Sequence, residues 1–493
     1  MIIEQGLFRG ESRHVRFNFS HADFVAAFES YVAGGHGSLP KELLIYAHEL
    51  THAICYATTP YGLFLHYCRD AQARIVGSLV KTLLAHDKKP VPPLLATLPA
   101  LPGETGQHVA TWLSMWLNIE FLVTQLSNIP KMHENLLRRV QSECLEVHPP
   151  LLPISETIWG VQKTIANNID YENTQRTHHN LPLWDQAGFD HHVIDEAIRT
   201  MSPSFDRSLE RAEELLLLLE NPWSVDAILE SAAMASEFTR SGMNLDELRA
   251  WVAAPCDPAL AVYRSCLQRG LEVIPATDLP QFLFSYLALC ELCLFAPLLP
   301  QHAALRGPGF PLEQLLPVTR FQRLLGAAEN ISPMLEIRDH ARYVTDLCQH
   351  LGWVHPLQII STAVRGAEVV ADPRAQVYIN AQRFRGRNLS CYLDATSLVL
   401  ETSAYGASLR DSCTFIVVEH TDKTIFHHDT VYLKAMTIQH LFSQMMRCIV
   451  LGSDFRVASP YRCDDHERHV LTIMLRESLQ NAFGFDFLMA QVV

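Results

Sequence analysis

The chain has 493 residues, 48% of them hydrophobic and 19% charged, enough for two or three domains, or one large helical body with a side domain, and this composition suggests a large core and argues against a long disordered tail. A formal charge of −14 argues against nucleic acid or an anionic membrane as the main partner. The 12 cysteines are scattered and lack the dense spacing of a disulfide framework, so they are expected to be reduced, buried thiols of a cytoplasmic protein.

In chain order, the first residues hold no apolar run of signal-peptide length. Val15–Phe19 reads as a strand and Asp23–Val32 as a helix, broken by Gly34-Gly35-His36-Gly37. Pro40 suits the first turn of a new helix, because its missing N–H would be unpaired there anyway. Leu43, Leu44, Ala47, Leu50, Ile54 and Tyr56 then recur at near-helical spacing, which predicts a largely buried helix to about Ala57. Thr58-Thr59-Pro60-Tyr61-Gly62 reads as a turn, and a second helix is expected over Leu63–Leu84. The stretch 89–106, with Pro90, Pro92, Pro93, Pro99 and Pro102, reads as a loop or flap. A third helix, about His108–Leu126, carries Trp112, Trp116 and Phe121.

Residues 127–202 are mixed, and from Ser204 the pattern is strongly helical. Helices are predicted over Ser204–Leu219, Ser224–Arg240, Asn244–Val252, Pro258–Leu271, Leu279–Phe295, Leu312–Ala328 and Ile337–Leu351. Phe282–Leu299 is the most apolar stretch, but it contains Glu291 and is bounded by Pro280 and Pro297. It reads as a buried helix rather than a membrane span. Residues 360–435 look β-like, with strands expected at Ala375–Ile379, Ser397–Glu401 and Thr414–Glu419. Helices at about Tyr432–Leu451 and Glu467–Ala482 close the chain. The expected fold is mainly α with a small β component, divided as 1–202, 203–355 (helical) and 356–493 (α+β).

The informative segment is His48-Glu49-Leu50-Thr51-His52. Residues four apart on a helix share a face one turn apart, so two imidazoles can grip one Zn²⁺ at about 2.0–2.1 Å per nitrogen. Glu49 adjoins the first ligand, where its carboxylate can reach a metal-bound water and take its proton. The segment is otherwise apolar, and titratable groups are seldom buried without partners. A metzincin is excluded, because Cys55 and Thr58 occupy the positions where its further glycine and histidine would stand. For the third ligand, Glu120 is a lone carboxylate in the apolar run Trp112–Val123, with Asp70 and His66 as rivals. Tyr171 and His178, with neighbouring His179, are candidates to stabilise the developing oxyanion.

HELTHAICYATTPYG followed by WLNIEFLV resembles zincin-like metallopeptidases of the gluzincin type, closest to poorly characterised bacterial proteins with a HExxH helix. The resemblance spans about residues 40–126. It implies a zincin-like helical catalytic core with His48, His52 and Glu120 as zinc ligands, Glu49 as base and a protein or peptide as substrate. The gap from His52 to Glu120 is longer than in the better-known gluzincins. The alternative is a binding or regulatory protein that keeps the domain for structure, with Cys55 or His66 closing the site as a fourth ligand. In either case a regulatory protein partner fits the large helical remainder. Outside this segment, Cys290 and Cys293 form a CxxC on an apolar helix and read as small buried hydrophobes. No GxSxG, P-loop or GxGxxG pattern occurs.

Overall fold

The computed structural model describes residues 6–9, 14–34, 39–86, 225–239, 241–255, 261–297, 317–367, 417–422, 424–426, 430–451, 455–484 and 487–493, with single residues at 94, 101, 103, 105, 109, 112, 116 and 383. The chain groups into two compact units, each drawn from separated stretches. The first comprises Met1–Phe64, Ser127–Lys131 and Asn221–Leu433, and the second Leu65–Leu126, Met132–Glu220 and Lys434–Val493. The described residues are mainly helical with a few short strands, as the composition and periodicity led us to expect.

In the first unit, β1 (Gly6–Arg9), β2 (His14–Phe17), β3 (Val417–Glu419) and β4 (Thr424–Phe426) form one sheet in that order. β1 and β2 are antiparallel, β2 and β3 parallel, and β3 and β4 antiparallel. Val15 lies opposite Val418, and both are buried. The sheet packs against α2 (Lys41–Thr58), as does α1 (His21–Gly34). Phe17 stacks on Tyr46 of α2 at 5.4 Å, which anchors the sheet two residues before His48.

Pro40 caps the start of α2. The hydroxyls of Thr51, Thr58 and Thr59 donate to the carbonyls of Ala47, Ile54 and Cys55, at 2.9, 2.7 and 2.6 Å. Three buried hydroxyls on this stretch are therefore satisfied without leaving it. The turn expected at Thr58–Gly62 shrinks to one extended residue, Thr59, after which α3 (Pro60–Ala85) begins directly. A proline in the first helical position costs no hydrogen bond. Gly62 is required here, since a Cβ would fall 1.8 Å from the carbonyl oxygen of Tyr56.

The body of the first unit is a set of packed helices. These are α4 (Val225–Phe238), α5 (Leu245–Ala253), α6 (Ala261–Val273), α7 (Leu279–Leu294), α8 (Pro317–Ala328), α9 (His340–Leu351) and α10 (Pro356–Ala367). α4 packs on α2, α6 and α7. Its buried residues include Ala227, Ser231, Ala232, Ala233, Ala235 and Ser236, small side chains that let three helices approach it. α7 is buried from Phe282 to Leu294 apart from Phe284, and no described helix is long and apolar enough to cross a membrane. Cys290 and Cys293 are buried free thiols, and burial pushes both well above the ordinary thiol range, as expected of small hydrophobes. α10 corrects the expectation of β structure from residue 360. Ile359, Ile360 and Ala363 are buried at one-and-four spacing, which is a helical stripe.

Arg320 of α8 is 1% exposed and caps the end of α7. Its guanidinium donates to the carbonyls of Cys293 (3.1 Å), Leu292 (3.0 Å) and Phe295 (3.3 Å), and lies 3.7 Å over the Trp353 ring. Burial lowers its pKa to about 10, which still leaves it charged at neutral pH. The Arg320→Met variant orphans helix-terminal carbonyls and removes the cation–π contact. It is expected to cost about 3–5 kcal/mol, read as a lower thermal midpoint. An unchanged midpoint would show that other groups satisfy those carbonyls.

In the second unit, most of α3 is described together with α11 (Thr430–Leu451, from Lys434), α12 (Asp465–Phe483) and the parallel pair β5 (Arg456–Val457) and β6 (Gln491–Val492). Gly77 of α3 lies against Phe483 of α12. Cys463-Asp464-Asp465-His466 gives α12 its start: Asp464 and Glu467 form a capping box.

Candidate metal centre

α2 presents His48 and His52 on one face, and α4 presents Glu230 and Glu237 to that face. His48 meets Glu237 while His52 meets Glu230, so the two helices run antiparallel. Three ligand atoms converge. His48 Nε2 and His52 Nε2 are 3.2 Å apart. Glu230 Oε2 lies 3.4 Å from the first and 3.3 Å from the second. Donors about 2.0–2.1 Å from a central zinc in tetrahedral array stand about 3.3–3.4 Å from one another. The three edges therefore fit a tetrahedral site for such an ion, and among the described residues this is the group that could hold a metal.

Glu237 completes the support. Its Oε1 is 2.6 Å from His48 Nδ1, so that nitrogen donates to the carboxylate and Nε2 is left to face the group. Burial disfavours the imidazolium of His48, but bonds to Glu230 and Glu237 and the charges of Glu237 and Glu49 outweigh it, holding the pKa at about 10. Burial also disfavours the carboxylate of Glu230, yet the charge of His52 and the bonds to both histidines hold it well below the carboxylate range. In the metal-free chain a proton does what a cation would do: it balances the buried carboxylates.

Glu49 is 6% exposed. It makes no hydrogen bond or ion pair among the described residues. Burial raises its pKa, with His52 and His48 pulling it back. Tyr263 of α6, half-buried, places its ring centroid 6.4 Å from that of His48.

The structure thus brings His48 and His52 together as the motif predicts, with Glu49 beside them. The carboxylate that joins them is Glu230. Glu120, Tyr171, His178 and His179 lie outside the described residues, and Asp70 and His66 fall on α3. Cys55 is buried and feels the thiols of α7; it is not a member of the ligand group. Glu230 and Glu237 were passed over at the level of sequence, although both stand on a helix of small and apolar residues, a setting like the apolar run that singled out Glu120. Comparison with known proteins finds no matching family model, curated protein or solved structure.

Proposed function

We propose that this chain is a zinc-dependent peptidase of the gluzincin type, with His48, His52 and Glu230 as ligands and Glu49 as general base. The observation that carries the reading is the convergence of three ligand atoms at tetrahedral edge lengths, with the buried carboxylate of Glu49 next to them. Two imidazoles and a carboxylate are a donor set suited to zinc, and three protein ligands leave one position for water or substrate, the arrangement of a catalytic rather than a structural site. When bound, zinc supplies Lewis acidity that acidifies water and polarises a peptide carbonyl.

The residues of the chain do the rest. Glu49, raised by burial, accepts the proton of the attacking water and passes it to the leaving amine. Glu237 holds His48 in one tautomer. Tyr263, whose ring lies 6.4 Å from that of His48, offers a hydroxyl to steady the oxyanion, the part for which Tyr171 and His178 are candidates from the sequence. A cytoplasmic protein or peptide is the proposed substrate.

The test is metal dependence. Mass spectrometry of the purified protein is expected to find near one zinc per chain, and stripping it with a chelator to end cleavage of a fluorogenic peptide library until zinc is restored. Because metal-free His48 keeps its proton up to about pH 10, uptake at neutral pH releases that proton, and apparent affinity weakens as the pH falls. A folded protein that takes up no zinc at micromolar concentration sinks the proposal.

A further inference from the structure

Glu230 is useful as a ligand only if α4 is held at one rotation and one height relative to α2. The next residue, Ser231, points about 100° around the helix and is fully buried. Its Oγ donates to the Ile228 carbonyl at 3.0 Å and stands 2.7 Å from the hydroxyl of Tyr286 on α7. Serine has one proton to give and Ile228 receives it, so the Tyr286 hydroxyl donates to Ser231. Burial pushes the Tyr286 phenol well above its ordinary value, so it stays a donor at any pH the protein meets.

Tyr286 itself has little freedom. Its ring stacks on Phe282 at 5.5 Å, meets Phe321 of α8 edge-on at 6.0 Å, and crowds Gly270 of α6, where a Cβ would come within 2.6 Å of it. One rigid side chain from α7, held by residues of α6, α7 and α8, therefore ends in a hydrogen bond to the residue adjoining Glu230.

We infer that Tyr286, through Ser231, is a positioning residue that sets how Glu230 is presented to the metal and so sets metal affinity. The inference rests on the zinc reading of the site. Metal ligands must sit within about 0.2 Å of their proper distances, and supports beyond the ligands are worth about 10–100-fold in affinity.

The test is zinc affinity of the full chain, by competition with a chromogenic chelator, for wild type, Tyr286→Phe, Ser231→Ala and the double variant. Thermal midpoints of the metal-free forms are taken alongside. Tyr286→Phe keeps the ring in its crowded place and removes one oxygen. Ser231→Ala improves intrinsic helix propensity, so a loss of affinity there is not a loss of helix. Each single variant is expected to bind zinc about 10-fold more weakly, and the double variant no more weakly than either, because both cut the same link. A merely structural role would lower the metal-free midpoints and leave the affinities alone. That result, or losses that simply add, overturns the inference while the zinc site stands. Wild type that binds no zinc removes the site and the inference together.

Discussion

The Glu49→Gln variant is expected to lose about two to four orders of magnitude in peptide cleavage while keeping near one zinc per chain. The substitution is isosteric, so packing around the 6% exposed side chain is preserved. It removes a proton acceptor and nothing that binds metal, because Glu49 is not one of the three converging ligands. It also removes a carboxylate whose ionised form burial disfavours, so the metal-free protein should unfold no earlier than wild type. Turnover by the variant within a few-fold of wild type, measured at saturating zinc, would take the general-base role away from Glu49.

Glu230→Ala is expected to bring zinc content from near one per chain to near zero. With Glu230 gone, two imidazoles remain on α2, and neither Asp226 nor Glu237 of α4 belongs to the converging group. Glu120→Ala, Asp70→Asn and His66→Ala are the informative companions and should keep wild-type zinc. The opposite pattern, zinc retained without Glu230 and lost without Glu120, would return the third position to the residue the apolar run Trp112–Val123 brought forward. Circular dichroism on each variant separates loss of a ligand from loss of the fold.

What could be read from the chain, and what could not, divides along physical lines. α2 was legible because periodicity, a proline start and the spacing of His48 and His52 are all local. Most helices beyond Ser224 were legible within a few residues for the same reason. The strands β1, β4, β5 and β6 are two to four residues long, too short for a period of two to emerge. The β-like range expected from residue 360 overlaps the end of α10, where Ile359 and Ile360 carry strand propensity that burial on one helical face overrides. Glu230 was illegible for a different reason. Which of several lone carboxylates meets His48 and His52 is decided by which helix packs on α2, and no local signal encodes that. The sequence division at residue 202 placed the motif and Glu230 in different domains, whereas the first compact unit holds both.

The distance along the chain between the two halves of the site has a consequence during synthesis. His48 and Glu237 are 189 positions apart, and at about 5–20 residues per second the ribosome needs about 10–40 s to travel from one to the other. Through that interval the nascent chain displays the HExxH helix without the carboxylates that balance and orient its histidines. An ion caught then would have two protein ligands and solvent, a loose grip that releases readily. On the zinc-peptidase reading proposed above, stable metal acquisition and any hydrolysis wait until α4 has left the ribosome and folded onto α2.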